Sequence, residues 1–254
     1  MGADRRFPAR LGRGLAALAV WCAVWAVLAR RVGLTLLLPG PWAVARRLAA
    51  LACTGEYWKT VGLSLLRVLL GFLSGAAAGM VLAALTCRFR TADTLLSPAI
   101  RVVRAAPVAS FILLAQLWLQ SGILPGVIAG LMVLPVVWQN TAAGIRATDR
   151  QLLEMAKVFR FGRWRTLRLV YVPSVAPHLR AAWVTGLGLA WKSGVAAEVL
   201  SAPAQAVGRE MANAKIYLET PDLFAWTVTV IVLSMAMERV LKLALKKLPG
   251  GVEP

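Results

Sequence analysis

The chain has 254 residues, of which 59% are hydrophobic and 16% charged, with a formal net charge of +18 at pH 7. Soluble domains carry roughly 45–50% apolar and roughly 25% charged residues, so a soluble fold would have too little polar surface to cover its core. On a chain this apolar the basic excess speaks against a nucleic-acid binder and for the inner loops of a polytopic membrane protein.

Three cysteines (Cys22, Cys53, Cys87) without C-x-x-C spacing, and the one histidine, His178, argue against a zinc site, a disulfide framework or Ser-His and Cys-His hydrolysis. No catalytic group, metal or cofactor is expected.

A membrane span needs about 20 mostly apolar residues. The first candidate, Leu15 to Leu38, follows a basic stretch (Arg5, Arg6, Arg10, Arg13) and carries Arg30 and Arg31, which would snorkel to the outer interface. No convincing small-x-small cleavage site follows Leu28, so this segment is expected as an uncleaved helix. After Pro39-Gly40-Pro41, the stretch 39–59 reads as an amphipathic interfacial helix. Val61 to Thr86 is the second span. Its Gly71, Gly75 and Gly79, every fourth residue, form a small-residue stripe for close helix packing.

Between Arg104 and Arg146 lie 41 residues without a charged side chain. They read as spans at about 106–120 and 125–143, joined by a turn at Ser121–Gly126. Further spans are expected from about Ala181 to Leu200 and from Leu223 to about Leu241. The whole chain is therefore expected to be all-α, one transmembrane domain over 1–254 with about six helices. With the N-terminus inside, 19 of the 29 basic residues fall in cytoplasmic segments, which places both termini in the cytoplasm.

Residues 144–180 are too charged to span. Thr148 with Gln151 makes a capping-box start, and Leu152, Leu153, Met155, Ala156 and Phe159 recur at helical spacing. Gly162 breaks the run, and a second short helix with Trp164, Leu167 and Val170 is expected to close at Pro173 and Pro177. Such an elbow suits docking on another protein. Glu154-Met155-Ala156 followed by Val170-Tyr171-Val172-Pro173 resembles the EAA loop of binding-protein-dependent ABC-importer permeases: E-A-A, three residues, G, nine residues, then I-x-L-P.

The resemblance covers nearly the whole chain and is to the nitrate/sulfonate/taurine branch. Leu38-Pro39-Gly40-Pro41, Ser64-Leu65-Leu66-Arg67-Val68 with Gly71-Phe72, Ser97-Pro98, Arg101 to Pro107, Asn140-Thr141-Ala142-Ala143-Gly144 and Ala196-Ala197-Glu198 match its motifs in order and spacing. It implies a permease of the type I (MetI-like) fold in the bacterial inner membrane. Two copies, expected to be identical chains, would pair in the lipid. Two cytoplasmic ATPase subunits would hydrolyse the ATP, and an extracytoplasmic solute-binding protein would deliver the solute. Residues 148–165 would be the coupling segment, with Glu154 its acidic anchor, Met155 at its middle position and Ala156 a small docking contact; the alternative for Glu154 is an ordinary solvated acid. Arg160 stands at the family's glycine, so either the turn moves to Gly162 or the loop is altered. Pro173 closes the motif.

For the solute path, Lys192 is the sharpest residue, because an ionisable group within a span usually faces protein or water. Glu198, six residues on, lies about 120° round the helix and about 9 Å along it, poorly placed to pair with Lys192. Lys192 either faces the pathway and favours an anion or pairs with a neighbouring helix. Gln139 and Asn140 are further candidates, read also as interhelical hydrogen-bonders. Arg67 would either snorkel or pair with an outer-loop acid.

Gly186 to Ser193 lacks the glycine before lysine that a phosphate loop needs, so the chain itself is not expected to bind ATP. The expected solute is a small anion such as a sulfonate, taurine or nitrate, or else a pyrimidine precursor of thiamine. A self-contained secondary transporter is the alternative. It would need midplane carboxylates and internal repeats, which are not seen.

Overall fold

The computed structural model describes the backbone of residues 6–246 and the side chains of residues 16–246. The expectations that rest on Arg5, Lys247, the side chains of Arg6, Arg10 and Arg13, and the chain ends lie outside the described residues. Among the described residues there is no strand. The helices are α1 (Arg6–Val32), α2 (Pro41–Ala52), α3 (Gly55–Arg88), α4 (Arg90–Ala105), α5 (Val108–Ala115), α6 (Leu124–Arg146), α7 (Arg150–Val158), α8 (Arg163–Thr166), α9 (Val172–Ser201), α10 (Val207–Ile216) and α11 (Thr220–Lys246). They fall into two compact units. One comprises the described residues up to Trp58 with Glu210–Thr229, the other Lys59–Arg209 with those from Val230 onward.

In the first unit α1 stops at Val32, short of the expected Leu38, where Gly33 turns left-handed (φ +68°) and donates to the Ala29 carbonyl at 3.1 Å. Arg30 and Arg31 fill that last turn, where the helix dipole favours cations. The helix expected after Pro39-Gly40-Pro41 forms as α2, with Gly40 extended and Pro41 in the first turn, where its missing N–H costs nothing. Thr54 then caps α3, accepting from the Tyr57 amide at 3.4 Å. The Arg47 guanidinium forks onto Asp222, Nη2 to Oδ2 at 2.7 Å. The Tyr57 hydroxyl meets that of Thr229 at 2.9 Å, and its ring stacks on Trp226 at 5.0 Å.

The second unit is organised by a seam of missing side chains. Gly71, Gly75 and Gly79 of α3 face Gly126, Gly130 and Leu134 of α6. A Cβ on Gly71 or Gly75 would land on the carbonyl of Gly126 or Gly130, and one on Gly79 would sit 2.8 Å from the Leu134 oxygen. The reverse holds too, since a Cβ on Gly130 would be 2.8 Å from the Gly71 carbonyl. The stripe expected in the second span is therefore a packing surface, and its partner is a second stripe that begins at Gly126, which the sequence places in a turn. Backbones this close gain dispersion contacts that bulky side chains would prevent.

The residue pairs rise together along both chains, so α3 and α6 run parallel, and α4 with α5 must carry the chain back between them. They do so as a bent pair, 102° apart at the break before Val108. Pro107 explains the break, because proline pushes the preceding residue out of the helical region, and Ala106 is extended (ψ 143°). The straight span expected over 106–120 is thus corrected: α5 has eight residues, about 12 Å, and cannot cross alone. Among the described residues α3 and α6 can each cross a membrane by length and composition, and the α4–α5 pair adds a third span if counted as one. α9 and α11 are long enough, at 30 and 27 residues; α9 is diluted by Lys192, Glu198 and its glycines.

α9 packs along α6 in the opposite sense, with Gly144 against Val175 and His178 at one end and Ile128 near Ala197 at the other. Trp191, 1% exposed, donates its indole N–H to the Val230 carbonyl at 3.0 Å.

The seam predicts a sharp contrast within α3. Gly75→Leu should lower stability by about 3 kcal/mol or more, since the obstacle is backbone rather than a movable side chain. Gly62→Ala, with nothing within 4 Å of the added carbon, should be neutral or slightly stabilising. Thermal unfolding of the two variants in detergent, followed by a thiol-independent readout, separates them.

Candidate functional site

The most distinctive local structure is the elbow between α6 and α9. Asp149, rather than the expected Thr148, caps α7, accepting from the Gln151 amide at 2.8 Å. Thr148 instead donates back to the Gly144 carbonyl at 3.2 Å and finishes α6. The competition is local: both residues can cap, and the carboxylate adds a favourable charge at the helix N-terminus.

α7 ends in a Schellman turn. The Phe161 amide donates to the Ala156 carbonyl at 2.8 Å and the Arg160 amide to that of Lys157 at 3.0 Å. The residue that must be left-handed for this pattern is Arg160, and it is, with φ +51°. Gly162 is extended (φ −63°, ψ 160°) and caps α8. The turn has therefore not moved to Gly162. The arginine takes the glycine's conformation, at a cost of about 1–2 kcal/mol for an L-residue.

The expected second helix does not close at Pro173. α8 continues through a π-helical turn at Leu167–Tyr171 straight into α9, with helical dihedrals at Thr166, Leu167, Tyr171 and Val172. Proline lacks a donor and its ring collides with the carbonyl four residues back; a wider turn just before Pro173 absorbs both effects. Pro173 and Pro177 are thus carried inside a continuous helical rod.

Of the elbow residues, Ala156 is buried (3% exposed) and holds α7 down. Glu154 is solvated and pairs with Arg150 at 3.4 Å along the same helix, a contact worth little by itself. Met155 is partly open at 39%, while Val158, Phe159 and Trp164 stand 78%, 68% and 74% exposed. Arg165 lies over the Phe161 ring at 4.5 Å. Beside the root of the elbow is a cavity of about 550 Å³ lined by residues including Met80, Thr141, Ile145, Leu167, Tyr171 and Leu179. It leaves the π turn and the first turn of α9 room to shift.

The pathway candidates are not gathered in one place. Lys192 is exposed on α9 and has no hydrogen-bond or ion-pair partner among the described residues. Asn140 donates to the Val136 carbonyl of its own helix at 2.8 Å, while the Gln139 side chain accepts from Arg104. Glu198 is fully buried and does not reach Lys192. It accepts from the Ser64 hydroxyl at 2.9 Å and the Gly208 amide at 3.1 Å, and lies 3.7 Å from the Arg67 guanidinium. Arg67 also donates to the carbonyls of Ala204 and Gln205 at 2.9 and 3.0 Å. Its partner is thus a carboxylate within α9, not an outer-loop acid. This lock fastens α3 to α9 and to the 202–208 turn, where Ala202 and Gln205 are both left-handed (φ 45° and 51°). The sequence shows Ser64 only as part of a motif. The signal for the lock was its place three residues before Arg67, on the same face of the helix.

The chain matches the family described as binding-protein-dependent transport system inner membrane component over residues 75–248. A Brucella melitensis protein named as a probable ABC transporter permease is 30% identical over 242 residues, covering 94% of this chain and 96% of the relative. The Bacillus subtilis permease protein SsuC, named for aliphatic sulfonates transport on a tentative footing, is 27% identical over 93% of this chain and 86% of its own. Among solved structures, an amino acid ABC transporter with histidines superposes with a TM-score of 0.57 at 18% identity, over 72% of this chain and 87% of that one, a likeness of fold.

Two outcomes follow from the geometry. Arg160→Gly should stabilise the elbow by about 1 kcal/mol, read as slower hydrogen exchange at the Arg160 and Phe161 amides, whereas Gly162→Ala should change it by less than about 0.5 kcal/mol. Ser64→Ala should cost about 1–3 kcal/mol, because it strips a partner from a carboxylate with no access to water; thermal unfolding measures it.

Proposed function

The chain belongs to the family of binding-protein-dependent transport system inner membrane components, and from that premise we propose that it is the permease subunit through which an ABC importer passes a small organic anion. Members of this family are membrane-embedded transport subunits and not themselves enzymes; the hydrolysis of ATP belongs to a partner ATPase, and delivery of solute to a separate binding protein.

The observation that carries the reading is the elbow. α7 and α8 sit between α6 and α9, two helices packed along their length, and α8 is continuous with α9 through the π turn. A push on the elbow therefore acts on a rod rather than on a loose loop. Its exposed apolar residues, Met155, Val158, Phe159 and Trp164, surrounded by Arg150, Arg163 and Arg165, suit a groove on a folded cytoplasmic protein. Glu154, already solvated, would anchor the contact, Ala156 would fix the depth of α7, and Arg160, Gly162 and Pro173 would set the angles of the elbow. ATPase closure would then rock α6 and α9, two permease copies alternating around a shared path.

The positive-inside bias puts the elbow, α4 and both termini on the cytoplasmic side, in a bundle of about six crossings surrounded by lipid. Two identical chains, each with one ATPase, make the simplest complete assembly. For the solute, the unpartnered cation Lys192 on α9 and the sulfonate named for the Bacillus relative both favour an anion, a sulfonate or taurine before nitrate. Asn140 and Gln139 would line the inward half of the route, and Glu198 would hold its outer end shut.

Co-expression with the ATPase tests this. The wild-type chain should co-purify with it, and Trp164→Glu with Phe159→Glu should cut recovery by at least about tenfold while the amount of permease is unchanged, as truncated hot-spot aromatics do elsewhere. In liposomes the permease alone should move no sulfonate; adding ATPase, binding protein and ATP should start uptake, and Lys192→Gln should weaken the preference for anions. Flux through the permease alone, driven by an ion gradient, would establish a secondary transporter instead.

A further inference from the structure

Between α4 and α6 lies a second cavity, of about 300 Å³, lined by Ile100, Arg101, Arg104, Pro135, Trp138 and Gln139. Its charged groups are all cations. Arg101 and Arg104 are one turn apart on α4, so their charges repel. Among the described residues neither has a carboxylate partner. The acid nearest in α4, Asp93, is about 12 Å back along the helix, and its carboxylate accepts from Ser97 at 2.5 Å.

Gln139 turns its oxygen to the Arg104 Nη1. That bond holds one guanidinium in place and leaves the amide nitrogen as a donor. Trp138 spends its indole N–H on the Thr86 hydroxyl at 3.0 Å, so its side chain adds an apolar wall and no competing polar group. Two guanidinium groups and one amide thus line a small space, and the amide oxygen, its one side-chain acceptor, is already taken by Arg104. Guanidinium forks match the oxygen pairs of carboxylate, sulfonate and phosphate groups. The volume, at the lower end of ligand pockets, suits a compact anion with a short apolar tail.

We propose that Arg101, Arg104 and Gln139 form an oxyanion-binding site on the inward half of the α4–α6 face, a stopping place for the transported anion between Lys192 and release. The proposal deepens the permease reading and rests on it. A lipid headgroup phosphate offers the same chemistry from another source, and the experiment separates the two.

The full chain is placed in nanodiscs of phosphatidylcholine and titrated with 2,2,2-trifluoroethanesulfonate, observed by fluorine NMR. Saturable line broadening is expected. Arg101→Gln or Arg104→Gln should raise the apparent Kd at least about fivefold, and the pair should abolish the broadening. Arg101→Lys, which keeps charge but loses the fork, should fall between. Arg90→Gln, on α4 but outside the cavity, and the uncharged probe trifluoroethanol serve as controls and should show, respectively, wild-type binding and none. Broadening that survives the double variant, or an equal response to trifluoroethanol, overturns the site.

In discs containing phosphatidylglycerol, loss of the sulfonate signal together with more phosphatidylglycerol retained by wild type than by the double variant would assign the site to lipid and overturn the transport role. Failure of the permease reading looks different. It is a wild-type chain that neither binds an ATPase nor supports uptake, whatever the titration reports. An importer whose double variant transports at the wild-type rate overturns the stopping place alone.

Discussion

Backbone-to-backbone approach along α3 and α6 is the constraint on which the second unit depends. Where Gly71 and Gly75 meet Gly126 and Gly130, there is no room for a single carbon atom. The two helices are consequently parallel and in fixed register, and the intervening chain has to double back. α4 and α5 accept that demand by bending at Pro107. α9 then lies antiparallel on α6 and is tied to α3 by Glu198, Ser64 and Arg67. The elbow and the cavity on α4 occupy positions that this arrangement hands to them.

Electrostatics divides the charged groups into paired and unpaired sets. Glu198 is buried beside Arg67 and accepts from the Ser64 hydroxyl and the Gly208 amide, while Arg67 donates to two main-chain carbonyls; a charge kept away from water needs such partners. Among the described residues Lys192, Arg101 and Arg104 have no carboxylate partner.

Much of this was legible in the sequence. The glycine period, the helix after Pro39-Gly40-Pro41 and the helix–break–helix of residues 150–166 follow from local rules that nearby residues enforce. What escaped the reading was decided at a distance or by small local margins. Gly126 looked like a turn residue because its partner, the Arg67 carbonyl, is far away in sequence. Span 106–120 looked straight because hydropathy is blind to the bend at Pro107. Thr148 lost the cap to its neighbour Asp149. Pro173 looked like a stop because a π turn has no signature in residue type. Arg160 is the instructive case. The sequence leaves two options, a turn moved to Gly162 or an altered loop, and the turn did not move. The chain forced the residue into the glycine's backbone conformation, since the hydrogen bonds of the Schellman turn outweigh the strain of one residue.

The π-helical turn at Leu167–Tyr171 also sets the clocking of the elbow about the axis of α9. An α-helix advances 100° per residue, and a turn closed one residue later carries one residue more than the same stretch of regular helix. Deleting a single residue there would restore an ordinary helix and swing Trp164 and α7 about the axis of α9 by about a quarter of a revolution. The aim of the elbow is thus set by the parity of one short segment, a phase dial that chain length alone can turn while the helices it serves stay where they are.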